Sequence, residues 1–296
     1  MNQQFVYVVI TPARDEADRI EQTIQSMQRQ TVLPLRWIIV NDGSTDGTGE
    51  IVSRYAASTS WIELINIPER EHRSFAGKAY AFNDTLAKIQ SLPFQAVACM
   101  DADVTFDPDY FEFLLNKLTS EEKLGLVGTP YRELTGESYD YRFVSRDNVP
   151  GICQLFRRTC IDEIGGYLPS RGGNIDTIAC LSARMAGWKT RVYPEKICNH
   201  LRTTGTAQNG ALKARFNEGM RDYLIGNHPF WQLIRTAYQM TRRPLFLRGG
   251  AIGLGYFWSA LRCIERPVPK KLIAYRRKEQ MNILWNRLTR RSASVQ

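Results

Sequence analysis

Short apolar runs alternate with stretches of helical spacing through the first two thirds of the chain. Phe5–Thr11 is a nearly unbroken apolar run and reads as a buried strand, with Pro12 expected to stop it. Ile20, Ile24 and Met27 then recur as one apolar stripe of a helix. Trp37–Val40 reads as a second strand, ended by the turn Asn41-Asp42-Gly43-Ser44. Asp46 is placed to cap the next helix, which carries Ile51, Val52 and Tyr55. Trp61–Ile67 is a third strand, Phe75–Ile89 a helix, and Phe94–Met100 a fourth strand running straight into Asp101-Ala102-Asp103. Pro108 falls near the start of a helix with Phe111, Leu114, Leu115 and Leu118 on one face. Such alternation predicts an α/β fold with a mostly parallel sheet and helices on both faces.

The rhythm changes after Leu124–Thr129. Residues 131–149 are polar and aromatic without a sustained period and read as an inserted loop or edge hairpin. Ile152–Phe156 is strand-like, Gly165-Gly166 marks a turn, Thr177–Gly187 is a helix and Thr190–Tyr193 a short strand. From about Ala207 the chain is helical, punctuated by Pro229, Pro244, Pro267 and Pro269. Its longest uncharged stretch, Gly249–Leu261, lies between Arg248 and Arg262 and is shorter than the roughly 20 apolar residues a spanning helix needs. Tyr256, Phe257 and Trp258 beside arginines suit a helix lying in a membrane interface. They suit a core helix equally well.

Composition adds one fact of consequence, the division of charge. Residues 1–195 hold 20 Lys and Arg against 26 Asp and Glu, net −6, while residues 196–296 hold 19 against 4, net +15. A basic tail of this kind implies an anionic partner such as membrane lipid, or else a solvated helical surface. The six cysteines are scattered, with no zinc-ligand spacing. The opening residues lack the basic and apolar regions of a signal peptide, so a reducing, cytoplasmic setting is expected.

Candidate chemistry follows from where ligands bind in an open α/β sheet, beyond the carboxyl ends of its strands. Pro12, Ala13, Arg14, Asp15 and Glu16 follow the first strand, Asp42 the second, and Asp101 and Asp103 the fourth. Carboxylates converging on one rim repel each other unless a cation shares the site. Hard oxygen ligands favour Mg²⁺ or Mn²⁺, whose shells phosphate oxygens complete. Taken alone, Asp-x-Asp is equally an acidic turn capping the next helix.

Four blocks in order alter that balance. Val8–Glu16, Ile38–Thr48, Gly77–Asn83 and Met100-Asp101-Ala102-Asp103 resemble the sequence blocks of family 2 glycosyltransferases of the GT-A fold. The resemblance covers about Phe5 to His200. It implies a GT-A domain over 1–205, with a nucleotide-sugar half about 1–105 and an acceptor half about 106–205. Residues 206–296 form a helical basic extension outside it. By the same resemblance Pro12, Ala13 and Glu16 line the base and ribose pocket, Asp42 bonds the base, and Lys78 offsets diphosphate charge. Asp101 faces ribose and metal, and Asp103 ligates the metal directly. His200 corresponds to a histidine that approaches metal or diphosphate in some relatives, and Arg202 is a candidate for the diphosphate. Asp176, after Gly172-Gly173-Asn174, matches the catalytic base, while Ile175 stands where a glutamate is usual.

Other roles are open to the same residues. Glu16 and Asp46 suit the positive end of a helix, Lys78 a solvated helix face, Asp176 a helix cap, and His200 a packed structural position. The resemblance implies sugar transfer with inversion from a nucleotide-diphosphate sugar to a hydroxyl acceptor, a glycan or a lipid-linked one. The basic tail adds an anionic membrane surface, at the inner face of the plasma membrane, and surface polysaccharide or glycolipid assembly as the setting. A non-catalytic nucleotide-sugar-binding scaffold at the membrane is the alternative. No nucleic-acid module pattern is present, so no nucleic-acid partner is expected. The absence of G-x-G-x-x-G after the first strand disfavours a dinucleotide oxidoreductase.

Overall fold

The computed structural model describes residues 5–68, 75–133, 145–170, 172–202 and 210–293. The chain divides into two compact units, one of residues 1–169 and 175–204, the other of residues 170–174 and 205–296.

The first unit is built on a seven-stranded sheet. Its elements in chain order are β1 (Tyr7–Ala13), α1 (Ile20–Gln28), β2 (Arg36–Asp42), α2 (Thr48–Ser58), β3 (Ile62–Ile67), α3 (Phe75–Lys88) and β4 (Ala96–Met100). There follow β5 (Val104–Thr105), α4 (Tyr110–Ser120), β6 (Leu124–Gly128), β7 (Tyr131–Glu133), β8 (Cys153–Arg157), α5 (Arg158–Ile164), α6 (Ile175–Met185), β9 (Lys189–Val192) and β10 (Cys198–His200). The strand order is β3-β2-β1-β4-β8-β6-β9, parallel except that β8 runs against both of its neighbours. Unbroken apolar runs make this sheet because both of its faces are covered. Val9, Ile39 and Ala98 point to one face and pack with Ile24, Met27, Phe111 and Leu114. Val8, Ile10, Ile38 and Val40 point to the other and pack with Phe82, Phe156 and Ala179. Truncating one such side chain, Ile10→Ala for instance, removes about 2–5 kcal/mol.

Two local expectations are corrected. Pro12 does not stop β1, which pairs with β2 as far as Ala13. Pairing with β4 has already ended at Ile10, so the missing N–H of Pro12 lies where β1 is paired on one side only. The helix expected from Thr177 begins at Ile175, so Asp176 lies within its first turn rather than before it. Arg158–Ile164, to which no element is assigned from sequence, is a helix ended by Gly165 at φ 74. Residues 134–144, part of the expected loop or hairpin, lie outside the described residues.

A second, three-stranded sheet of order β5-β10-β7 sits beyond the end of β4. Its strands are two or three residues long and carry no periodic signal.

The other unit is helical: α7 (Ala211–Leu224), α8 (Pro229–Met240), α9 (Leu247–Leu261) and α10 (Lys270–Ala293). Pro229 opens α8 at its first turn, where its missing N–H costs nothing. Glycines set the packing of α7 on α9. A Cβ on Gly219 would lie 1.8 Å from the Ile252 carbonyl oxygen, and one on Gly255 2.0 Å from that of Phe216. A buried polar network ties the other helices together. Asn227 accepts from Gln280 at 2.9 Å and from Arg276 at 2.6 Å, and Gln232 donates to Asp222 at 3.1 Å. Among the described residues no helix is long and apolar enough to cross a membrane.

Candidate active site

The order β3-β2-β1-β4 means the chain steps outward to β3 and then returns to the far side of β1. The crevice between the ends of β1 and β4 is therefore a topological switch point, where open α/β sheets bind ligands. The carboxylates singled out by sequence after β1, β2 and β4 fall at this rim or beside it.

Two loops make its left wall. The segment after β1 and the segment after β2 are stitched together by side-chain to backbone hydrogen bonds. Asp15 N donates to Ser44 Oγ at 3.0 Å, and Thr45 N donates to Asp15 Oδ1 at 3.0 Å. Glu16 N donates to Thr48 Oγ1 at 2.8 Å and Ala17 N to Asp46 Oδ2 at 2.9 Å. Asp46 also accepts from Thr48 N at 3.1 Å, so it joins a helix start to the neighbouring loop. These bonds hold Asp46 below the usual carboxylate range against its partial desolvation. Pro12 and Ala13 end β1 within this wall. Asp42 ends β2 and faces the first turn of α3, where a Cβ on Gly77 would come within 3.2 Å of its Oδ2.

The centre is acidic and countered by cations. Asp101 and Asp103 follow β4, and His200 reaches them from β10. The small sheet explains how: His200 pairs with Val104, and Leu201 N donates to the Asp103 carbonyl at 2.8 Å. His200 Nε2 then lies 3.3 Å from Asp103 Oδ2. Arg202 pairs with the same Asp103 oxygen at 2.5 Å and with Glu16. Burial alone raises a carboxylate pKa; at Asp103 the hydrogen bond and charge of His200 and the charge of Arg202 outweigh it, and the net shift is downward. Glu16 goes the other way, raised by burial and by the charge of Asp103 in spite of Arg202 and Arg19. Burial lowers the His200 imidazolium, but Asp103 and Asp101 hold it above the ordinary histidine value.

The right wall carries Asp176. Lys78, in the first turn of α3, donates to Asp101 and to the Gly151 carbonyl at 2.9 Å. Its charge is held by Asp101 chiefly and by Asp176 as well, which raises its pKa despite burial. Gly151 abuts Asp176 so closely that a Cβ there would lie 3.0 Å from that of Asp176. Asp176 and Asp103 thus share one rim, linked through Gly151, Lys78 and Asp101. Ile175, in the place of the usual glutamate, is buried in the core cluster with Val149, Tyr167 and Ala179. This chain uses the position for packing.

Asp101, Asp103 and His200 offer one ligand atom each within 4.8 Å of one another, the single such group among the described residues. Two carboxylates and an imidazole suit a divalent ion of the Mn²⁺ or Mg²⁺ kind, and His200 Nδ1 is buried with no hydrogen-bond partner among the described residues. The donor set fits. Sequence reasoning did not find Gly151, whose carbonyl holds Lys78, nor the clamp of Asp15, Ser44 and Thr48. Polar residues in a turn carry no mark of the loop they will bond.

A mostly parallel sheet whose switch point bears such an acidic, lysine- and histidine-lined rim is the architecture of GT-A glycosyltransferases. Residues 8–166, more than half of the chain, match the model of glycosyl transferase family 2, and the chain belongs to that family. It is 23% identical over 252 residues to poly-beta-1,6-N-acetyl-D-glucosamine synthase of Staphylococcus aureus, covering 79% of this chain and 57% of that protein. It is 21% identical over 241 residues to the same-named enzyme of Staphylococcus epidermidis, covering 75% and 56%. The chain therefore spans a little over half the length of these relatives. Among solved structures, the mannosyltransferase PcManGT from Pyrobaculum calidifontis in complex with GDP-Man and Mn²⁺ superposes with a TM-score of 0.58, at 20% identity over 89% of this chain and 76% of that one. Residues 1–349 of S. aureus TarS in complex with UDP-GlcNAc give 0.56, at 12% identity over 85% and 71%.

Proposed function

We propose that this glycosyltransferase moves a sugar from a nucleotide-diphosphate carrier to a hydroxyl acceptor with inversion, and that Asp176 is its general base. The observation that carries the reading is the single rim joining Asp176, through Gly151 and Lys78, to Asp101, Asp103 and His200. The base and ribose lie against Pro12, Ala13, Glu16 and Asp42, within the two stitched loops. Lys78 and Arg202 offset diphosphate charge. Asp103, Asp101 and His200 hold Mg²⁺ or Mn²⁺, which when bound supplies charge stabilisation to the departing diphosphate. Asp176 takes the acceptor proton as the acceptor oxygen bonds to the anomeric carbon. The bond from that carbon to the diphosphate oxygen breaks in the same displacement, and the nucleoside diphosphate leaves with its electron pair. Orientation and preorganised charge supply most of the rate.

On this reading residues 1–105 hold the donor and 106–205 the acceptor, a glycan or lipid-linked hydroxyl in surface polysaccharide or glycolipid assembly. The basic extension, 206–296, keeps the enzyme at an anionic membrane surface on the cytoplasmic side. The relatives' names support polymer synthesis, and the complexes with GDP-Man, UDP-GlcNAc and Mn²⁺ support a nucleotide-sugar donor with a divalent ion.

A thermal-shift panel of nucleotide sugars with and without Mn²⁺ tests the donor, since binding to the native state raises stability by mass action. Asp176→Asn keeps the donor shift and loses most turnover. Normal transfer by that variant rejects the base, and donor binding without transfer to any acceptor by the native chain supports a scaffold instead.

A further inference from the structure

In the helical unit, α8 and α9 run antiparallel along a close seam. A Cβ on Gly249 would lie 2.5 Å from Met240 N and from the Thr236 carbonyl oxygen, and one on Gly253 would lie 3.0 Å from Thr236 Cγ2. Met240 therefore faces Gly249, and Thr236 faces Gly253. On α9 the exposed residues Leu247, Leu254, Trp258 and Leu261 fall in one stripe at about 100° per residue. Ile252, Tyr256 and Ser259 on the opposite side are buried. A helix apolar all round belongs in an apolar medium on both sides. On α8 the exposed stripe is Phe230, Leu233 and Ile234.

Each stripe lies about a quarter to a third of a turn beyond the seam, in the same rotational sense on its own helix. In an antiparallel pair that geometry puts both stripes on one side. The connecting residues Leu245, Phe246 and Leu247 continue the surface, with Phe246 70% and Leu261 81% exposed. Phe246 holds φ at 60, a backbone value a bulky side chain rarely adopts. Exposed apolar residues gathered on one side of a helix pair, rather than scattered singly, mark an interaction surface.

Charge selects the occupant. Arg242 and Arg243 stand at the loop end and Arg262 at the far end, and no Asp or Glu occurs between Asp222 and Glu265. The Arg262 guanidinium lies over the Trp258 ring at 4.7 Å, the pairing of an aromatic and a cation suited to the headgroup level. A second copy of the chain would set these arginines against their own kind. We propose that this side of the α8–α9 pair lies in an anionic lipid bilayer. Phe246, Leu254, Trp258 and Leu261 enter the acyl boundary and the arginines meet lipid phosphates. The inference rests on the membrane-surface part of the proposed function and names the element that makes the contact.

Flotation of the full chain with phosphatidylcholine vesicles, with and without phosphatidylglycerol, tests it. The native chain floats with the anionic vesicles and stays in solution with the neutral ones. The triple variant Phe246→Ser, Leu254→Ser, Trp258→Ser, altered only at exposed positions, loses about tenfold or more in vesicle partitioning. It keeps the native melting temperature and the native donor-induced thermal shift. The proposal is overturned if the native chain does not float with anionic vesicles, or if the triple variant floats as well as native. It is equally overturned if gel filtration shows a native dimer that the triple substitution dissociates. A chain that floats but shows no shift with any nucleotide sugar overturns the transferase reading and leaves the surface standing; the converse result does the reverse.

Discussion

His200 Nε2 lies 3.3 Å from Asp103 Oδ2 because Asn199 and His200 of β10 pair with Thr105 and Val104 of β5, beyond the end of β4. The pairing brings Asp101, Asp103 and His200 together as three side chains that could hold one metal ion.

From this contact the first prediction concerns the ion. Losing a partner one shell further out already costs about 10–100-fold in metal affinity, so His200→Ala is expected to weaken Mn²⁺ binding by at least about tenfold. Asp103→Asn is expected to abolish the effect of Mn²⁺ on donor binding. Titration calorimetry with Mn²⁺ alone reads the first, and titration of a nucleotide sugar with and without Mn²⁺ reads the second; neither needs an acceptor. Native affinity in either variant removes that residue from the ligand set.

Gly151 offers a test of Asp176 that leaves its chemistry in place. A Cβ at 151 would come within 3.0 Å of the Asp176 Cβ and 3.3 Å of its Oδ2, so Gly151→Ala must push that carboxylate aside. Misplacing a reacting group by about 1 Å can cost on the order of a hundredfold in rate. The expected result is a fall in kcat of about tenfold or more with donor affinity nearly unchanged. An equal loss of donor binding would point to the Lys78 bond with the Gly151 carbonyl instead.

Asp46 holds the loops after β1 and β2 together through Ala17 N and Thr48 N. Asp46→Ala is expected to lower stability by about 1 kcal/mol, the usual loss for a helix-start hydrogen-bonding side chain. It also raises KM for the donor, with kcat largely kept. The pKa of Asp46 is lowered in the folded state, so its stabilisation is present above the unfolded value of about 3.9 and is lost as pH falls through the folded value. Native and variant chains should accordingly converge in stability toward low pH, as denaturant melts at several pH values will read.

A second pH effect belongs to the helical unit. Glu218 accepts from Arg235 at 2.6 Å and from Arg215 at 2.9 Å, with Asp222 and Arg248 in the same charged group. Burial pushes its carboxyl up, but the two arginines outweigh burial and hold it below the usual range. Its contribution is full above the unfolded value of about 4.3 and falls away as pH drops through the folded one. Glu218→Gln should cost on the order of 2 kcal/mol near neutral pH and progressively less in acid. A constant difference at all pH values would show that its packing, not its charge, matters.

Much of this molecule was legible in one dimension. Val8–Ile10, Ile38–Val40 and Val97–Met100 are buried apolar runs too short for helices, and the stripes of Ile20, Ile24 and Met27 or Phe111, Leu114 and Leu118 are helical in period. Such patterns record which faces must leave water, and they define an α/β sheet covered on both sides. Placing Asp42 and Asp101 at strand ends followed from that alone, because ligand edges are a property of sheet topology. The long-range pairings were another matter. Strands as short as β5 and β10 have no period to detect, so the approach of His200 to Asp103 depends on backbone pairing across distant segments. The same is true of β8, inserted antiparallel between β4 and β6, and of the Gly151 carbonyl, since every residue carries one. The side of the α8–α9 pair that Trp258 faces was open between core and interface for a related reason. Periodicity marks an apolar stripe, and only the packing of neighbouring helices decides which stripe they cover.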